Sequence, residues 1–295
     1  MTVITLETMG LTKYYGSFCS VDGIDLSVEK GEIFGFLGPN GAGKTTTIRL
    51  LLDLIRPTSG SYRIFGKEKP HRDPTIREEI GNLPGEIGFY PNMTGKEFLG
   101  YFLRYHPMGF EDNQGRLCER FKLDQAALDK KIKYYSKGMK QKIGLIQAMQ
   151  RRPRLLILDE PSEALDPLMQ QALYTTLQEL KKEGCTIFLS SHILAEVEKM
   201  CDRVAIIRKG RIQTVENIAV LKQKMVRRLT VFAESIVLSQ ISKLPHLRLK
   251  RMDSTSAEYQ FNGEVSQLLQ GLAPLPIQDI IFPEPELEDI FLEFY

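Results

Sequence analysis

The residues best placed to do chemistry are Gly38, Pro39, Asn40, Gly41, Ala42, Gly43, Lys44, Thr45 and Thr46, a run with the spacing G-x-x-x-x-G-K-T. Its glycines let the backbone curl so that successive N–H groups approach a polyphosphate, and a helix starting near Lys44 adds its positive dipole end. Lys44 would neutralise the β- and γ-phosphates, and the Thr45 hydroxyl would ligate Mg²⁺. The run follows apolar Ile33–Leu37 and opens into leucine-rich Ile48–Ile55, so it reads as strand, loop, helix rather than as a glycine-rich surface turn. A nucleoside triphosphate is the expected ligand.

Two carboxylates form the second candidate group. Arg154–Leu158 is a continuous apolar run of the kind buried on both faces of a parallel sheet, and it ends in Asp159-Glu160-Pro161. Asp159 would hold the magnesium, directly or through water, and Glu160 would polarise a water for attack on the γ-phosphate. Acidic residues after a strand are common, and their spacing alone leaves catalysis and plain solvation open. His192, after the apolar run Cys185–Ser190, is placed at another strand end; a lone histidine is more often a helix cap or surface residue, and only this position raises it. Tyr15, ahead of Gly16, would stack on a base or simply pack.

The elements that must carry these groups follow from periodicity. From Val3 the chain alternates at period two through Val28, which predicts a β-rich start. The helix after the glycine run is expected to end at Arg56-Pro57-Thr58-Ser59-Gly60, before strands at Ser61–Gly66 and Ile80–Pro84. Residues 87–152 change to helical spacing, with Leu99, Phe102 and Leu103, Leu117 and Phe121, then Met139, Ile143, Ile146 and Met149. Helices at Leu168–Glu183 and up to Met200, and a hairpin at Val204–Ile212, complete an alternating order that makes a largely parallel sheet with ligands at the strand C-terminal ends. Beyond Val215 the pattern β-α-β-β-α-β, with a closing helix at Leu287–Phe294, suggests a small split-βαβ domain. The expected fold class is therefore α/β with an inserted helical subdomain, 87–152, within residues 1–215, and an accessory α+β domain at 216–295.

Composition narrows the setting. A chain of 295 residues, 42% hydrophobic, can fill sizeable cores, and a net charge of +2 does not by itself call for nucleic acid. Lys130, Lys131, Lys133, Lys137, Lys140 and Lys142 crowd around Tyr134-Tyr135, which reads as a solvated helical face, with nucleic acid the alternative. Four cysteines, Cys19, Cys118, Cys185 and Cys201, show no C-x-x-C and are expected as reduced thiols. The sequence has no long apolar run and no leader pattern, so a cytoplasmic location is expected.

With the glycine loop, the strand ending in Asp159-Glu160 and the turn Ser136-Lys137-Gly138-Met139 between them, residues 3–215 resemble the ATPase subunit of an ATP-binding cassette (ABC) transporter. The resemblance implies a RecA-like phosphate-loop core, with ATP and Mg²⁺ bound and ATP hydrolysed. It implies that Tyr15 stacks on adenine, that Ser136 and Gly138 begin the signature helix, that Glu160 is the catalytic base, and that His192 contacts the γ-phosphate. It further implies that Ser162–Asp166 communicates across a dimer, with Asp166 part of the nucleotide site. The tail Pro285–Phe291 looks like that of drug and sodium exporter ATPases. The implied partners are an integral-membrane permease and a second copy of the chain, on the cytoplasmic face of the cell membrane.

The chain departs from the family pattern in three places. The signature Leu-Ser-Gly-Gly-Gln appears as Tyr135-Ser136-Lys137-Gly138-Met139, the glutamine expected after the strand near residue 84 aligns with Gly85 beside Glu86, and Glu163 replaces a small residue. A soluble cassette ATPase working on ribosomes or nucleic acid is the competing reading. It lacks the second cassette or long coiled-coil insertion such relatives carry. A GTPase would need an Asn-Lys-x-Asp motif, which this sequence lacks.

Overall fold

The computed structural model describes residues 3–68, 73–104, 113–224 and 227–283. The alternating start forms a long hairpin of β1 (Ile4–Tyr15) and β2 (Phe18–Glu29), followed by the buried β3 (Ile33–Leu37), the glycine loop and α1 (Lys44–Leu51). Next come β4 (Ser59–Ile64), β5 (Lys67–Glu68), α2 (Pro74–Glu78) and β6 (Ile80–Leu83). The helical stretch contains α3 (Gly95–Arg104), α4 (Gln114–Arg120), α5 (Gln125–Leu128), a 3-10 turn at Ile132–Tyr134 and α6 (Lys137–Met149). Then follow β7 (Leu155–Asp159), α7 (Pro167–Lys182), β8 (Thr186–Ser191), α8 (Leu194–Met200), β9 (Arg203–Arg208), β10 (Arg211–Asn217) and α9 (Ile218–Lys224).

The apolar runs pair as expected of strands buried on both faces. The main sheet has the order β10-β9-β3-β8-β7-β6, parallel except for the β9–β10 hairpin. An antiparallel sheet, β2-β1-β4-β5, covers it. One core joins the two, from Leu6, Leu11 and Ile24 through Ile48 and Leu51 of α1 to Phe34, Phe36, Ile157 and Phe188. Two glycines allow close packing onto the main sheet. A Cβ on Gly35 of β3 would lie 2.8 Å from Val197 of α8, and one on Gly81 of β6 would lie 2.1 Å from the Ala148 carbonyl of α6.

The chain divides into two compact units, Met1–Ile218 and Ala219–Tyr295. The second contains β11 (Arg227–Phe232), α10 (Ser235–Ile241), β12 (Leu247–Met252), β13 (Ser256–Phe261), α11 (Val265–Leu272) and β14 (Asp279–Ile281). Its sheet order is β12-β13-β11-β14, antiparallel throughout, which is the split-βαβ arrangement. Leu229, Val231, Tyr259 and Phe261 bury one sheet face against Leu238 and Ile241 of α10 and Leu268 and Leu272 of α11.

Some boundaries differ from the periodicity. The helix after the glycine loop stops at Leu51 rather than Arg56, because Asp53 turns into a left-handed conformation (φ 59°) and its buried carboxylate is held by Arg56 and Arg77. The last strand shrinks to Asp279–Ile281, and the expected helix at Leu287–Phe294 and the tail Pro285–Phe291 lie outside the described residues. The four cysteines form no disulfide with one another, three of them are buried, and burial pushes the Cys185 thiol up to about 12. Among the described residues no helix is long and apolar enough to cross a membrane.

Candidate nucleotide site

β3, between β8 and β9, delivers the glycine loop to the C-terminal edge of the parallel sheet. Gly38 donates its N–H to the Ser191 carbonyl at 3.2 Å, and a Cβ there would lie 2.4 Å from the Ile207 carbonyl, so only glycine fits. Gly43 enters α1 at φ 107°, where a Cβ would strike the Ser20 carbonyl. Pro39, Asn40, Gly41 and Ala42 form the turn between them, with Asn40 and Gly41 exposed and Ala42 N–H bonded to the Pro39 carbonyl. α1 has no capping side chain and no acidic residue in its first turn, which leaves its positive end to an anion. Thr45 is exposed at that end, and Thr46 accepts a hydrogen bond from Ser20 of β2 at 2.9 Å.

Three candidate residues from distant parts of the chain meet here. Lys44, 6% exposed, donates Nζ to the carbonyls of Gly38 (2.6 Å) and Pro39 (3.3 Å) and ion-pairs with Glu160 Oε1 at 3.3 Å. The other Glu160 oxygen lies 2.8 Å from His192 Nδ1. Glu160 has φ 50°, which turns its side chain out of the line of β7 toward the loop. Asp159, the last residue of β7, is 2% exposed and accepts a hydrogen bond from Ser190 Oγ at 2.5 Å. Ser190 also accepts from the Glu160 N–H at 3.2 Å. One hydroxyl therefore orients both carboxylate residues.

The donor set fits a magnesium ion shared with phosphates. Asp159 Oδ2 points toward Gly85, whose added Cβ would lie 3.0 Å away, so the glycine lets that loop approach the carboxylate closely. Glu86 is exposed. Among the described residues no cluster of three or more His, Cys, Asp or Glu could hold a metal by itself. Hard oxygens from one carboxylate and one hydroxyl are what Mg²⁺ takes when phosphates complete its shell.

The signature residues are tied to the turn after Glu160, not to the glycine loop. Exposed Ser136 caps α6, its Oγ accepting from Met139 N–H at 3.2 Å, and a Cβ on Gly138 would lie 2.9 Å from the Ala164 carbonyl. Lys137 Nζ lies 2.5 Å from Glu163 Oε1. Gln141, one turn along α6, donates to the carbonyls of Glu160 (3.3 Å) and Pro161 (3.0 Å). Asp166 caps α7 through Met169 N–H at 3.0 Å. Tyr15 is exposed at the tip of the β1–β2 hairpin, with Lys13 Nζ 5.3 Å from its ring centre.

Sequence reasoning missed Ser190, Gln141 and the buried Glu196. The signals were faint. Ser190 faces Asp159 only through the register of two parallel strands, and Gln141 sits one turn beyond the expected helix start.

A glycine loop between a central parallel strand and a helix, with a lysine, a glutamate and a histidine converging on it, defines a phosphate-loop nucleoside triphosphatase. The family model described as ABC transporter matches residues 21–163. Bacitracin transport ATP-binding protein BcrA of Bacillus licheniformis is 42% identical over 208 residues, 70% of this chain and 68% of that protein. The protein of the same name from Enterococcus faecalis is 35% identical over 97% of this chain and 94% of its own length. A solved ATP-binding subunit of an ABC transporter superposes with a TM-score of 0.68 at 32% identity, covering 75% of this chain and 92% of that one. The chain belongs to the ATP-binding subunits of ABC transporters, and its activity is that of an ABC ATPase.

Proposed function

We propose that two copies of this chain bind ATP head to tail and hydrolyse it to drive export through a separate integral-membrane permease, docked on the cytoplasmic face of the cell membrane. The bacitracin transport relatives support a drug-like cargo, one of them being similar over nearly the whole chain. Residues 1–215 would be the nucleotide-binding domain, with 87–152 its helical subdomain, and 216–295 an accessory domain.

The observation that carries the mechanism is the meeting of Lys44, Glu160 and His192 at the glycine loop. The N–H groups from Gly43 to Thr46 and the α1 dipole would hold the β- and γ-phosphates, and Tyr15 would stack on the adenine. Lys44 would turn from the loop carbonyls to the phosphates. Thr45 and Asp159 would hold Mg²⁺, which when bound neutralises charge between the β- and γ-phosphates. Glu160 takes the proton of the attacking water while His192 orients the glutamate and contacts the γ-phosphate. Ser136 and Gly138 of the second copy would close the site from across the interface, with Asp166 in the communicating turn.

Glu160→Gln tests this reading. The amide keeps the shape but cannot accept the water's proton, so turnover falls by about 10²- to 10⁴-fold while ATP affinity is kept, and sizing with ATP and Mg²⁺ shows a dimer. Turnover at the parent rate removes Glu160 from the role of base. Within the lysine cluster, Lys133 lies over the Tyr134 ring and Lys137 pairs with Glu163, contacts that favour a solvated face over a nucleic-acid site.

A further inference from the structure

Beneath the site lies a carboxylate that the mechanism above does not use. Glu196, in the first turn of α8, is 6% exposed. Its Oε2 accepts a hydrogen bond from Ser162 Oγ at 2.6 Å and another from Ser191 Oγ at 3.2 Å. Both serines are buried, at 4% and 1% exposure. Among the described residues these two hydroxyls are its hydrogen-bond partners. It also lies close to Tyr174 of α7, whose phenol is pushed up to about 12, first by burial and then by the Glu196 charge. A carboxylate taken out of water is costly unless it is fully hydrogen-bonded, so this position is an expensive place for one that only fills space.

The two serines sit at telling positions. Ser162 stands two residues after Glu160, at the head of the turn that ends at Asp166, and Ser191 immediately precedes His192. Ser191 is further tied to its own loop, because its Oγ accepts from the Ile193 N–H at 2.9 Å. One carboxylate oxygen therefore clamps together two separate segments of chain. The reactive groups of those same segments, Glu160 and His192, meet 2.8 Å apart above the clamp.

We infer that Glu196 is a positioning residue for hydrolysis: by accepting hydroxyl hydrogens from Ser162 and Ser191 it fixes the register between the β7–α7 and β8–α8 turns that brings His192 onto Glu160. The inference rests on the reading of Glu160 as the base. It assigns Glu196 no contact with ATP. Loss of the clamp lets the two turns separate, and the glutamate then loses the orientation that proton transfer needs. ATP binding, which depends on the glycine loop and α1, is left in place.

The test uses the full chain assembled with its permease and compares Glu196→Leu, Glu196→Gln and the Ser162→Ala/Ser191→Ala double variant. The leucine and double-serine variants are expected to lose at least tenfold in kcat, with the ATP dissociation constant within twofold of the parent. Glu196→Gln, whose amide oxygen can accept the same two hydroxyls, is expected to recover most of that loss. In a His192→Ala background, Glu196→Leu should cost less than twofold more, because the contact it supports is already gone; a merely structural role would subtract equally in both backgrounds. If Glu196→Leu fails to fold, the double-serine variant carries the same comparison. The inference is overturned by parental kcat in the leucine or double-serine variant. It is equally overturned by full additivity with His192→Ala, or by glutamine rescuing no better than leucine. Glu160→Gln run alongside separates the two readings: an active Glu160→Gln sinks the base assignment, whereas an inactive Glu160→Gln beside a fully active Glu196→Leu sinks only the clamp.

Discussion

Ser190 shows how much a single hydroxyl decides at this site. It donates to Asp159 Oδ1 and accepts from Glu160 N–H, so its loss frees the carboxylate proposed to hold the metal and the turn of the proposed base together. A hydrogen bond to a charged group contributes about 1.5–3 kcal/mol. Ser190→Ala should therefore raise the Mg²⁺ concentration needed for half-maximal ATP turnover by about tenfold or more, with a parallel shift in Mg²⁺-dependent ATP binding. An unchanged Mg²⁺ titration would leave Ser190 as packing alone. Lys137 and Glu163 show a different economy of residues. Each departs from the family pattern, and the structure pairs them at the start of α6, where a lysine faces an unfavourable helix dipole and Glu163 supplies the missing anion. Both side chains are largely exposed, so the pair contributes little to stability.

Among the elements, α8 has a narrow tolerance. It carries Glu196, follows the His192 turn, and lies against β3 at Gly35, where a Cβ would come within 2.8 Å of Val197 and 2.9 Å of Cys201 Sγ. Gly35→Val should cost about 1–3 kcal/mol by overpacking, seen as a lower urea midpoint, and should lower turnover more than ATP affinity because the glycine loop is not part of that contact. A variant with parental stability would mean that α8 moves freely off the sheet. α6 is fitted just as closely. Gly81 admits the Ala148 carbonyl, Gly144 lies against Leu83 and Ile87, and Gln141 holds the helix to the carbonyls of Glu160 and Pro161. The helix whose first turn would face one ATP is thus bonded to the residue that would act on the other.

At the scale of the whole molecule, two compact units and one glycine loop per chain set the predictions. The second unit has its own core and none of the site residues described, so a chain ending at Ile218 should fold and bind ATP in a Lys44-dependent way. A truncation folded by circular dichroism but without ATP affinity would place the tail in the site. One glycine loop and one signature turn per chain also predict complementation. Lys44→Ala and Ser136→Arg chains, each inactive alone, should recover about a quarter of the sites when co-expressed with the permease, because half the dimers are mixed and each of those has one undamaged site. Mixed dimers unable to trap ATP would exclude a site shared between chains. The sequence by itself determined the nucleotide loop, the alternating α/β order and the strand ending in Asp159-Glu160, because these are local: glycine spacing, apolar period and turn chemistry act within about ten residues. Only the tertiary structure decided that His192 and Lys44 flank Glu160, that Ser190 serves both carboxylates, and that Glu196 joins two turns. Those contacts depend on the register of parallel strands far apart in the chain and on which helices reach the sheet through Gly35 and Gly81. No local pattern encodes that information.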